Sequence, residues 1–113
     1  MANIDGIYSG YFSGEGGNGL GLFLFRDGTL TGADAAGVVF DGTFAAIETG
    51  YRGTVTVKAP ANGMLVQGVS TGPHGITYEM AFEVPSDFAE KPYLLLQTPL
   101  GPVTVKLVKL RAL

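Results

Sequence analysis

The chain has 113 residues, 46% of them apolar, with no cysteine and a formal net charge of −3. That length and apolar content specify one domain, residues 1–113, built around one hydrophobic core. The missing thiols exclude disulfides, thiolate metal sites and cysteine nucleophiles, and seven basic residues against ten acids are too few for a phosphate-tracking surface, so no nucleic acid is expected as a partner.

No apolar run approaches the ~20 residues of a membrane-spanning helix. The opening MANIDGIYSG has neither a basic start nor a hydrophobic stretch, so a cytoplasmic protein with no membrane association is expected. A first strand is expected over residues 5–13. It runs into SGEGGNGLGLFLF, where Gly14, Gly16 and Gly19 match the G-x-G-x-x-G spacing of dinucleotide sites. Such a fingerprint works only when a helix follows and aims its amides at the phosphates. Here a strand over residues 19–26 follows and ends at Asp27-Gly28, a strong hairpin signal. GEGGNG is accordingly read as a mobile hairpin loop joining the first two strands.

The Asp27-Gly28 turn fixes a register with the next strand, residues 29–33: Arg26 opposes Thr29, Phe25 opposes Leu30 and Leu24 opposes Thr31. Phe23, Phe25 and Leu30 then share the inner face. Leu20, Leu22 and Leu24 form an outer stripe, the candidate dimer or partner interface. A fourth strand, 38–46, carries Gly42 between Phe40 and Phe44, where a glycine admits a bend or leaves room for a ligand, the bend being the favoured reading.

Alternation of period two is clearest in YRGTVTVKA, with Tyr51, Gly53, Val55 and Val57 inward, and in ITYEMAFEV, with Ile76, Tyr78, Met80, Phe82 and Val84 inward. These give strands 51–59 and 75–84, with a further strand at 64–71 between them. His74, the only histidine, falls in the turn TGPHG and is read as an exposed turn residue. Glu79 and Glu83 share the outer face of their strand, roughly 13 Å apart, too far for a carboxylate pair of the glycosidase kind. PSDFAEKP has room for one helical turn capped by Ser86 and stopped by Pro92. Strands 92–98 and 102–110 complete the chain, and YLLLQ is apolar on both faces, which favours self-association.

Short strands and no long helix point to an all-β fold, a sandwich or a closed barrel, and the tight sequential connections favour an antiparallel up-and-down barrel of about eight strands, whose closure removes the sheet edges. Inward aromatics, among them Tyr8 and Phe12, would line it. Phe23, Phe25, Phe40, Phe44, Tyr51, Tyr78, Met80 and Phe82 are the candidate ligand-cavity residues, suited to a small hydrophobic ligand. Nothing assembles a catalytic group, so no enzyme activity and no cofactor are expected.

Three segments, DGIYSGYF (Asp5 to Phe12), GLGLFLFRDGTLTGAD (Gly19 to Asp34) and FDGTF (Phe40 to Phe44), resemble the GrlR family, small bacterial regulators of type III secretion with a lipocalin-like barrel. The resemblance implies a cytoplasmic homodimer that restrains a transcriptional activator by protein contact and does not itself bind DNA. The alternative reading is a carrier of a small hydrophobic ligand.

Overall fold

A computed structural model describes residues 4–113 and shows eight antiparallel strands in one sheet rolled into a nearly closed barrel. The strands are β1 (Gly6–Gly14), β2 (Gly17–Arg26), β3 (Thr29–Asp34), β4 (Val39–Ile47), β5 (Gly50–Ala59), β6 (Ile76–Pro85), β7 (Leu94–Thr98) and β8 (Gly101–Ala112). Their order in the sheet is β6-β5-β4-β3-β2-β1-β8-β7.

The β2–β3 hairpin has the expected register, with Arg26 opposite Thr29, Phe25 opposite Leu30 and Leu24 opposite Thr31. Asp27 and Gly28 both have positive φ, 50° and 77°, the backbone of a turn whose twist matches that of its strands. Phe23, Phe25 and Leu30 are buried as a consequence, while Leu20 and Leu22 are exposed on the outer wall. On β5 and β6 the alternation holds as read, and the outer residues Arg52 and Glu83 pair across the strands at 2.8 Å.

Gly42 is a close-approach position: a Cβ there would lie 2.2 Å from the Thr54 carbonyl oxygen of β5. Its place between Phe40 and Phe44 is explained by the neighbouring backbone. The glycines Gly10 and Gly32 do another job, since the ring of Phe23 covers both positions where a side chain would stand.

Three expectations change. Residues 64–71 are not a strand: only an isolated bridge between Met64 and Ser70 forms, inside a folded loop spanning residues 60–75. Positive φ at Asn62, Gly68 and Gly72 turns the chain back on itself, and the bonds Leu65 N–H to Val69 O and Thr71 N–H to Gly63 O are made within the loop. The helical turn in PSDFAEKP is a short 3-10 turn, Phe88–Glu90, capped at Asp87 without a side-chain bond, so Ser86 is not its cap.

The sheet also keeps two edges. Sequential strands pair everywhere except β6 with β7, which face each other across a seam while β1 pairs with β8 to join the ends of the chain. The connection between β6 and β7 explains the seam. It carries Phe88 inward to be buried, and Pro92, which has no N–H to give a ladder, delays β7 until Leu94. Lys106 of β8 fastens this connection by donating from Nζ to the carbonyls of Ala89, at 3.1 Å, and Lys91, at 2.5 Å.

The topology sorts the connections into two ends. The plug end carries the β2–β3 and β4–β5 turns and the connection bearing Phe88. The cap end carries the β1–β2, β3–β4 and β7–β8 turns together with the 60–75 loop.

Candidate functional site

Inside the barrel lies an apolar cavity of about 150 Å³. All eight residues singled out in the sequence stand on its wall: Phe23 and Phe25 from β2, Phe40 and Phe44 from β4, Tyr51 from β5, and Tyr78, Met80 and Phe82 from β6. Phe12 joins them, whereas Tyr8 is buried in the core outside the cavity lining. The period-two pattern places them there, because alternate residues of every strand face the axis.

At the plug end the wall is closed by rings. Phe88 stands 5.9 Å from Tyr8, 6.0 Å from Phe25 and 6.1 Å from Tyr51, centroid to centroid, and Tyr8 lies edge-on to Phe25 at 4.9 Å. These separations are those of favourable aromatic pairs. Tyr8 is 2% exposed, its hydroxyl donates to the Ile4 carbonyl at 2.7 Å, and the Lys109 ammonium sits 5.8 Å from its ring centre. Burial, with smaller contributions from Tyr51 and Asp5, pushes the Tyr8 hydroxyl above the usual phenol range.

At the cap end the closure is made by backbone. Leu65 is buried, Val66 and Gln67 line the cavity, and the Val66 carbonyl accepts a hydrogen bond from Gly16 N–H at 2.7 Å. A Cβ on Gly16 would stand 2.5 Å from Gly68 Cα, so glycine lets the two loops touch. GEGGNG is thus a tight turn that seats the 60–75 loop, and one of its amides is spent on that loop. His74 is exposed on the same loop, outside the cavity lining.

A polar group interrupts the apolar wall here. Gln67 donates from Nε2 to the Tyr78 hydroxyl at 3.1 Å and to Thr98 Oγ1 at 3.2 Å. Thr98 gives its own proton to the Gly101 carbonyl at 2.6 Å and accepts from Leu100 N–H, which fixes the orientation of the Gln67 amide: a donor must face Thr98. Burial raises the Tyr78 hydroxyl, and the Gln67 bond only partly offsets this, so the phenol stays protonated at neutral pH. Asp34 also lines the cavity, with its Oδ1 accepting from Ala36 N–H and Val38 N–H at 2.9 and 3.0 Å.

Sequence reasoning missed Phe88, Gln67 and the β7 residues Leu94, Leu96 and Thr98 as wall residues. Phe88 carried a usable signal, a lone aromatic in an otherwise polar turn. Gln67 carried none, since its place depends on a loop fold that no periodicity encodes.

The stripe of Leu20, Leu22 and Leu24 faces outward as expected. Leu20 opposes Tyr11 and Leu22 opposes Ser9, with Val108 on the far side of Ser9, so exposed apolar residues continue across β2, β1 and β8. Leu24, between Ile7 and Thr31, is only partly exposed. Among the described residues no helix is long and apolar enough to cross a membrane, and no group of His, Cys, Asp or Glu is placed to hold a metal ion. Comparison with protein-family models, with curated proteins and with solved structures finds no match.

Proposed function

We propose that the protein is a non-enzymatic binding protein that holds one small, mainly apolar molecule inside its barrel. The cavity carries this reading: about 150 Å³ of space walled by aromatic and aliphatic side chains. An apolar cavity of about that volume stays dry and takes up a benzene-sized molecule. Its wall has one carboxylate, Asp34, and neither histidine nor lysine, so it holds no acid–base pair of the kind hydrolysis requires. A protein saturated at about 100 times Kd gains roughly 2.7 kcal/mol of stability by mass action. Toluene is therefore expected to raise the melting temperature by several degrees, and native mass spectrometry of freshly purified protein to reveal a bound small molecule. A melting temperature indifferent to every benzene-sized probe defeats the proposal.

A second observation favours a protein partner as well. Tyr11, Leu20 and Leu22 are about half exposed on one outer face, more apolar surface than a lone small barrel gains from. That face suits a second copy of this chain, or an activator protein of the kind the GrlR resemblance implies, and the cavity would let a ligand report to such a partner. If the stripe is a homodimer contact, Leu22→Glu converts a dimer into a monomer in size-exclusion chromatography with light scattering. An unchanged dimer removes the stripe from the interface.

A further inference from the structure

We propose that the molecule held in the barrel is electrically neutral and carries a hydroxyl or carbonyl group, which is bound at the cap end by Tyr78 and Gln67; the inference rests on the cavity reading above. The hydrogen bonds around Gln67 leave one donor and one acceptor unspent on two residues that line the cavity. Both Nε2 protons of Gln67 are spent, on Tyr78 and on Thr98, and Thr98 is occupied as donor to Gly101 and as acceptor from Leu100. The proton of the Tyr78 hydroxyl enters none of these bonds, nor does the Oε1 of Gln67. A hydroxyl arriving between them can accept from Tyr78 and donate to Gln67, while a carbonyl can take the Tyr78 proton alone. The bond from Nε2 already polarises the phenol toward donation.

The charge of the ligand follows from what the wall lacks. No lysine, arginine or histidine lines the cavity, so a carboxylate would be stripped of water with nothing cationic in return. The Asp34 carboxylate further disfavours an anion. Its Oδ1 is already held by two backbone amides as the fastening of the β3–β4 turn, which weakens it as a partner for an ammonium. With room of about 150 Å³, the body of the ligand is one aromatic ring or its aliphatic equivalent.

Titration calorimetry of the full chain with toluene, benzyl alcohol, benzoate and benzylamine at neutral pH separates the cases. Benzyl alcohol is expected to bind about fivefold to tenfold more tightly than toluene, the yield of one or two net hydrogen bonds. Benzoate and benzylamine are expected to bind more weakly than toluene. Tyr78→Phe should erase the advantage of benzyl alcohol over toluene, bringing the two affinities together, and Gln67→Met, close in volume, should diminish it. The probe series on the unaltered chain decides the matter even if a variant misfolds. Equal affinities for toluene and benzyl alcohol overturn this inference alone; benzoate matching benzyl alcohol overturns neutrality; benzylamine binding tightest moves the polar contact to Asp34 and overturns it too. If no probe binds, the cavity reading itself falls.

Discussion

The two ends of the barrel are shut by different physics. At the plug end, Phe88 enters the bore and three rings, Tyr8, Phe25 and Tyr51, pack against it, so closure is nondirectional and made of large apolar surfaces. At the cap end, the 60–75 loop rests on the β1–β2 turn through a backbone bond from Gly16, and on β6 and β7 through the bonds of Gln67. Few side chains are buried in that loop, Leu65 and Thr71 being the two. A region held by few apolar contacts opens at lower free energy than one packed with aromatics. The plug end is therefore expected to anchor the fold, and exchange of the proposed ligand is expected at the cap end.

The largest effect that tests this division is loss of the plug. Phe88→Ala should destabilise the protein by about 3–5 kcal/mol, the usual cost of emptying a buried aromatic site. Because Phe88 also lines the cavity, the variant gains space that a ring can refill, and benzene should restore part of the lost melting temperature. A drop of less than about 1 kcal/mol would show that the rings at this end do not anchor the barrel.

An intermediate effect is expected from the seat of the cap. Gly16→Ala places a methyl group 2.5 Å from Gly68 Cα and 2.8 Å from the Leu65 carbonyl, so the two loops must separate. Overpacking of this kind costs about 1–3 kcal/mol. The change should be local: amide hydrogen exchange should accelerate at Leu65 and Gly68, whose N–H groups bond within the loop, and stay slow along β5. Uniform acceleration over the whole sheet would instead make the cap part of the cooperative core.

What the sequence revealed divides along the same line. Strand alternation placed the aromatic lining, and Asp27-Gly28 placed the β2–β3 register, because both depend on neighbours close in sequence. The seam was not legible, since the same proline-bounded segment that reads as a helical turn must be seen in space to bring Phe88 inward and hold β7 away from β6. Residues 64–71 misled for a related reason: MLVQGVST has a strand's composition, but positive φ at Gly68 breaks the run, and the apolar Leu65 and Val66 face the bore from a loop. Local pattern therefore encodes the wall, and long-range packing decides how the wall is stoppered.

The smallest expected effect compares the ends through two phenols, buried Tyr8 at the plug and half-buried Tyr78 at the cap. Both hydroxyls are raised above the ordinary value of 10.0, chiefly by burial. The unfolded chain then loses these protons at lower pH than the folded one, so their contribution to stability is complete below pH 10.0 and is lost as pH rises toward the folded-state values. The difference in phenolate absorbance between the parent chain and each Tyr-to-Phe variant should resolve the two from the other three tyrosines. If the cap opens locally, Tyr78 ionises through that opening before the protein unfolds, and the parent-minus-Tyr78→Phe difference rises ahead of the unfolding transition. Tyr8, packed among Phe25 and Phe88, should ionise only with global unfolding, so the parent-minus-Tyr8→Phe difference should rise only with the unfolding transition. Should Tyr78 instead titrate in step with the loss of the sheet, the cap is as firmly closed as the plug, and exchange must pass through the seam between β6 and β7.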